Sequence, residues 1–172
     1  MAYDGKAVAN YILDLATVDG EAISPMKLQK LIYYAHGWHL ALTGEPLVSD
    51  EIEAWGYGPV IPAIYHNFKS FGNEPITSPA QDFSWNNGKL VVSTPEIPIG
   101  EIHETARQIL KRVWTIYKPL TALQLSKMTH APDAPWSQVV APYGGKIPVS
   151  LEIPNDLIRN YFAKVGQKTG GE

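Results

Sequence analysis

The stretch SPMKLQKLIYYAHGWHLALTG, residues 24–44, decides how this chain folds. Its apolar residues recur at the i, i+3, i+4, i+7 spacing of one buried helix face, at Leu28, Leu31, Ile32, Ala35, Trp38 and Leu42. Ser24 before Pro25 is typical of a helix N-cap followed by the first helical residue. Gly44 is typical of a left-handed helix end. The pattern predicts one long helix over residues 26–42.

Other segments on both sides of this helix carry the same spacing. They predict helices over residues 6–17, 60–70, 100–117, 121–129 and 155–165. Residues 51–55 alternate polar and apolar side chains, which is typical of a short strand. The sequence Gly-Tyr-Gly-Pro at residues 56–59 then predicts a break in the chain before the next helix.

Two proline-rich segments interrupt the helical pattern. Prolines exclude a long helix from residues 73–99, where Asn87-Gly88 predicts a β-hairpin with a strand over residues 89–93. Prolines also predict mostly irregular structure after residue 130, up to the last helix. The predicted fold class is mainly α, an α-dominated α+β domain with a small hairpin and short strands. We expect one domain over residues 1–166 and a flexible tail over residues 167–172.

Composition narrows the function classes. The 172 residues are 45% hydrophobic and 18% charged, as in one globular domain, and no apolar run reaches the roughly 20 residues of a membrane span. The absence of cysteine excludes disulfides and thiolate catalysis. The N-terminus lacks the basic and apolar regions of a secretory signal, so we expect a cytoplasmic protein. The net charge of −3 argues against nucleic-acid binding, which needs a basic excess.

Three later segments, taken with residues 24–44, form a recognisable signature. They are EAWGYGPV at 53–60, YHNF at 65–68, and the set Leu125-Ser126, Thr129-His130 and Pro135-Trp136. This signature resembles the SocA-like antitoxin family, also labelled phage-associated protein GepA, whose shared module is called the Panacea domain. The final segment, residues 153–162, is similar to the family's closing helix.

The resemblance implies a mainly helical bacterial protein that neutralises a toxin by direct protein–protein contact. We therefore expect a cognate toxin as the partner, with no enzymatic activity and no cofactor. The alternative is a proteolytic adaptor that delivers the toxin to a cellular protease, as one family member does. A metal-dependent enzyme is a distant third possibility.

The partner-binding residues proposed from the sequence are mostly aromatic, because aromatic side chains supply much of the energy of protein interfaces. They are Trp55, Tyr57, Gly58, Pro59, Tyr65 and Trp136. For the Trp55–Pro59 element, a core plug and a partner-binding lip are equally good interpretations. Lys27, Gln29 and Lys30 indicate a solvated helix face, with an acidic toxin surface as the alternative.

The remaining constellations favour structural roles. His36 and His39 stand at i, i+3 spacing and suggest a metal site completed by His66, His103 or His130, but no zinc motif accompanies them. His103-Glu104 suggests acid–base chemistry without a visible nucleophile. Residues 120–139 have the outline of a helix-turn-helix, but their second half has no lysine or arginine to contact phosphate. We therefore predict no metal site, no catalytic site and no DNA-binding site.

Overall fold

The computed structural model describes residues 1–170, and the predicted mainly α fold is confirmed. In this range the chain is 55% helical, with seven helices and two antiparallel two-stranded sheets. The helices are α1 (Gly5–Asp19), α2 (Pro25–Thr43), α3 (Pro62–Phe68), α4 (Glu101–Tyr117), α5 (Ala122–Thr129), α6 (Pro135–Val140) and α7 (Asn155–Thr169). The strands are β1 (Glu53–Trp55), β2 (Gly58–Val60), β3 (Asp82–Asn86) and β4 (Lys89–Ser93).

Helix α2 is the centre of the fold, and its predicted caps are confirmed. The Ser24 hydroxyl accepts a hydrogen bond from the Lys27 amide, and Gly44 ends the helix with a φ of +77°. Helices α1, α4, α5 and α7 all pack against α2. The helix is therefore buried on nearly all sides, including Gln29 and Lys30, so the prediction of a solvated polar face there was wrong.

Helix α7 approaches α2 closely at a glycine. A Cβ atom on Gly37 would lie only 2.2 Å from Cε2 of Phe162, so the absence of a side chain lets the two helices meet. The Phe162 ring lies edge-on to the rings of Tyr33, Tyr34 and Trp38, with centroids 5.3–5.8 Å away. This aromatic cluster fixes α7 against the central helix.

Several local predictions differ from the structure. Residues 58–60 form strand β2, and α3 begins at Pro62 rather than at residue 60. Helix α6 lies in a segment that we predicted to be irregular, because Pro135 occupies the first helical position, where proline is tolerated. Leu42, predicted to be buried, is exposed near the end of α2.

The last helix is longer than predicted and runs to Thr169 rather than to residue 165. Residues 167–169, part of the predicted flexible tail, are therefore helical. The last two residues of that tail, 171–172, lie outside the described range.

Strands β3 and β4 form the predicted hairpin, with Asn87 and Gly88 at positive φ in the turn. The register pairs Phe83 with Val92 and Trp85 with Leu90, so these four side chains share one face of the hairpin. All four are exposed.

Candidate functional site

The β1–β2 turn, residues 55–58, is built around a glycine that no other residue can replace without strain. Gly58 has a φ of +112° and is buried. A Cβ atom there would lie 2.7 Å from the Thr129 hydroxyl oxygen and 3.0 Å from Lys30 Nζ. Trp55 faces Gly58 across the strand pair, so the turn is tight.

Side chains from three helices donate hydrogen bonds to the backbone carbonyls around this turn. The bonds run from Trp136 Nε1 on α6 to Trp55 O (2.7 Å), from Ser126 Oγ on α5 to Tyr57 O (2.8 Å), and from Lys30 Nζ on α2 to Pro59 O (3.1 Å). Each bond joins segments at least 29 residues apart in sequence. The turn is therefore held in one position by side chains from two other segments of the signature, residues 24–44 and the 125–136 set.

The six residues proposed from the sequence meet at this place but fall into two groups. Gly58 and Pro59 are buried, and Trp136 is half-buried beneath the turn, so these three fix its position. Trp55, which is half-buried, and Tyr65, which is exposed, form an edge-to-face pair with ring centroids 4.8 Å apart. Tyr57 is 73% exposed, which rules out the core-plug interpretation for its side chain.

A groove of about 500 Å³ runs beside the turn, between α2 and α3. We call it the α2–α3 groove. Its walls are mainly apolar and aromatic, with a few polar side chains at the floor and rim. They include Met26, Gln29, Lys30, Trp55, Tyr57, Val60, Ile64, Tyr65 and Lys69. None of its lining residues is an aspartate or a glutamate.

The floor of the groove contains two polar side chains of α2 that sequence reasoning placed in solvent. Gln29 bonds the backbone of Ile61 twice, donating to its oxygen and accepting from its nitrogen, each at 3.0 Å. Lys30 is 1% exposed, and burial lowers the pKa of its ammonium to about 8. The sequence does contain a sign of this burial. On the side of α2 opposite the apolar stripe, Lys30 is followed at helical spacing by Tyr33, Tyr34 and Gly37, and none of these three is charged.

His36 and His39, the pair suggested as metal ligands, are held by structural hydrogen bonds. His36 is fully buried, accepts from the Val48 amide at Nδ1 (3.3 Å) and therefore donates from Nε2 to Asn155 Oδ1 (2.8 Å). Burial lowers the His36 pKa to about 4, so the ring is neutral at physiological pH. His39 donates from Nδ1 to the carbonyl of Glu45 (2.7 Å). Within residues 1–170, no three histidine, aspartate or glutamate side chains lie together as a metal site requires.

His103, which the sequence suggested for acid–base chemistry, packs inside the domain. It is buried and shares a 2.8 Å hydrogen bond with the Tyr3 hydroxyl. That bond joins the long helix α4 to the N-terminal segment, which is a structural role.

Known proteins resemble this chain over most of its length. The family model described as antitoxin SocA-like, Panacea domain, matches residues 28–137, a range that includes every residue of the turn and its three donors. Antitoxin SocA of Caulobacter vibrioides (strain NA1000 / CB15N) is 35% identical over 160 residues, which cover 92% of this chain and 82% of that protein. No solved structure shows significant similarity. In the described part of the chain, every helix is too short or too polar to cross a membrane. The chain belongs to the SocA-like antitoxin family and carries its Panacea domain.

Proposed function

We propose that this chain is a cytoplasmic antitoxin that neutralises its toxin by binding it directly, with Tyr57 at the centre of the contact. The single observation that supports this most is the exposure of Tyr57 on a turn whose backbone is otherwise fixed. Covering a large exposed aromatic side chain with a partner removes apolar surface from water and so stabilises the complex.

The fixed turn explains why this surface suits a binding protein. The three helix side chains hold the backbone carbonyls before any partner arrives, so little conformational entropy is lost on binding. Trp55 and Tyr65 extend the aromatic surface next to Tyr57, and the groove supplies the concave part. Gly58, Pro59 and Trp136 serve the interface by positioning these three side chains. A contact of this kind acts by stoichiometric binding and requires no catalysis.

The test is growth rescue in a bacterial host. Reading frames adjacent to this gene are expressed one at a time from an inducible promoter, and one that arrests growth is then co-expressed with the wild-type chain or with Tyr57→Ala. We expect Tyr57→Ala to lose rescue and toxin pull-down while its melting temperature stays unchanged, because the side chain is exposed.

The matched control is Trp85→Ser. Trp85 is also a strongly exposed aromatic residue, but it lies on the β3–β4 hairpin and does not line the groove. This variant should retain rescue. Loss of rescue in Trp85→Ser with full rescue by Tyr57→Ala would place the interface on the hairpin and refute our assignment.

The same assay separates occlusion from adaptor activity. An antitoxin that occludes its toxin needs only a stable complex, typically with a buried area of about 1,200–2,000 Å². Rescue should therefore persist in hosts that lack the major cytosolic proteases. Rescue that disappears in such a host, while toxin binding is retained, would establish the adaptor function instead.

A further inference from the structure

The α2–α3 groove has an unusual polar composition for a chain with a net charge of −3. Two lysines, Lys30 and Lys69, line it, and no carboxylate does. The amide of Gln29 is occupied by its two bonds to Ile61. The charge of the groove is therefore positive, and its deepest charged group is Lys30.

Lys30 has more hydrogen-bonding capacity than the fold uses. Its ammonium carries three donors, and among residues 1–170 its only hydrogen-bond acceptor is the Pro59 carbonyl, at 3.1 Å. No aspartate or glutamate of the described range lies within 4.0 Å of it. A buried cation without a counter-ion is costly, and a neutral donor would hold the Pro59 carbonyl equally well.

Lys27 shows that this arrangement is specific to Lys30. It lies on the same helix and also donates to a backbone carbonyl, that of Lys118, at 2.6 Å. It is only half-buried, however, and does not line the groove. Lys30 thus combines near-complete burial with a place on the groove floor.

Resting on the proposed function, we infer that the α2–α3 groove accepts an acidic side chain of the partner, carried by an otherwise apolar segment, and that its carboxylate pairs with Lys30. The pairing supplies the missing counter-ion, and charge-assisted hydrogen bonds use the spare donors of the ammonium. The apolar neighbours of the acid contact Met26, Val60 and Ile64, which line the same groove. Tyr57 and Tyr65 close over the segment from the rim.

The experiment uses a random dodecapeptide library displayed on phage, selected on the full chain. Selected peptides are synthesised, and their dissociation constants are measured for the wild type, Lys30→Met, Lys27→Met and Tyr57→Ala. We expect the selected peptides to contain an aspartate or glutamate flanked by apolar residues. Lys30→Met should weaken their binding by about 30-fold or more, as loss of one member of a buried charge pair does, whereas Lys27→Met should bind like the wild type.

A second measurement changes the peptide and compares the effect on the wild type and on Lys30→Met. Replacing the acid of each peptide by the corresponding amide should cost the wild type about the same factor and should cost Lys30→Met little, because the pair is already broken. This double-mutant comparison is independent of any effect of the substitution on folding.

The outcomes separate the two proposals. Peptides that depend on Tyr57 but lack an acid, or that bind Lys30→Met as tightly as the wild type, would overturn the carboxylate inference and leave the groove as the interface. A selection that enriches no peptide would also count against an acidic segment as the occupant. Peptides that ignore both Tyr57 and Lys30, together with toxin rescue by Tyr57→Ala, would refute the proposed interface itself.

Discussion

Replacing Lys30 by methionine should stabilise the protein at neutral pH while removing its ability to pair with a partner carboxylate. Methionine keeps the apolar stem of the lysine and removes its charge. Burial lowers the Lys30 pKa from 10.5 to about 8, and this shift corresponds to roughly 3 kcal/mol against the folded state at pH 7. The substitution also leaves the Pro59 carbonyl without its donor, which costs about 1–3 kcal/mol. We expect Lys30→Met to be more stable than the wild type by roughly 0–2 kcal/mol.

The pH dependence provides a sharper test than the difference at pH 7. Between pH 8 and 10.5 the folded chain binds fewer protons at Lys30 than the unfolded chain, so the stability of the wild type rises with pH in this window. The cost of the buried charge is fully present below pH 8. From pH 7 to pH 9.5 the wild type should therefore gain about 2 kcal/mol relative to Lys30→Met.

Urea unfolding followed by tryptophan fluorescence at pH 7, 8.5 and 9.5 measures this gain. The buried tyrosines, whose pKa values are raised by burial, contribute equally to both proteins and cancel in the difference. Lys27→Met serves as the control. The reasoning is refuted if Lys30→Met is less stable than the wild type by more than about 2 kcal/mol at pH 7 and the difference does not change with pH. That result would mean that Lys30 stabilises the fold through its hydrogen bond to the Pro59 carbonyl.

Three further predictions concern the core around α2. Leu31→Ala should cost about 2–5 kcal/mol in urea unfolding because Leu31 is fully buried; a cost below 1 kcal/mol would contradict its place in the core. Gly37→Ala should lower the free energy of unfolding by roughly 1–3 kcal/mol or more, because its Cβ would overlap the Phe162 ring. The control is Gly166→Ala, whose Cβ would lie 3.3 Å from Trp38 and which should change the melting temperature far less. The His36 pKa is about 4 in the folded chain and 6.5 in the unfolded chain, so the unfolded chain takes up the proton first as the pH falls. The free energy of unfolding should therefore drop by roughly 3 kcal/mol between pH 6.5 and pH 4. His36→Gln should show a flatter acid profile, and a profile identical to that of the wild type would refute the assignment.

The sequence determined the elements whose signals are local. The ends of α2 follow from Ser24 and Gly44, and the β3–β4 hairpin follows from Asn87-Gly88, because caps and turns depend on backbone geometry within a few residues. Periodicity placed Leu28, Leu31 and Ile32 in the core correctly. The order and spacing of the signature segments were sufficient to identify the family.

Only the tertiary structure decided which side chains surround the candidate site and how each one is held. Periodicity along α2 identifies one buried face, but Gln29 and Lys30 are buried because β2 and the start of α3 pack on the opposite side. Trp136 reaches the carbonyl of Trp55 across 81 positions of sequence, a separation that no local pattern encodes. The exposure of Tyr57 likewise depends on where distant helices hold the turn. Burial and charge pairing are properties of the space around a side chain, and that space is formed by segments remote in sequence.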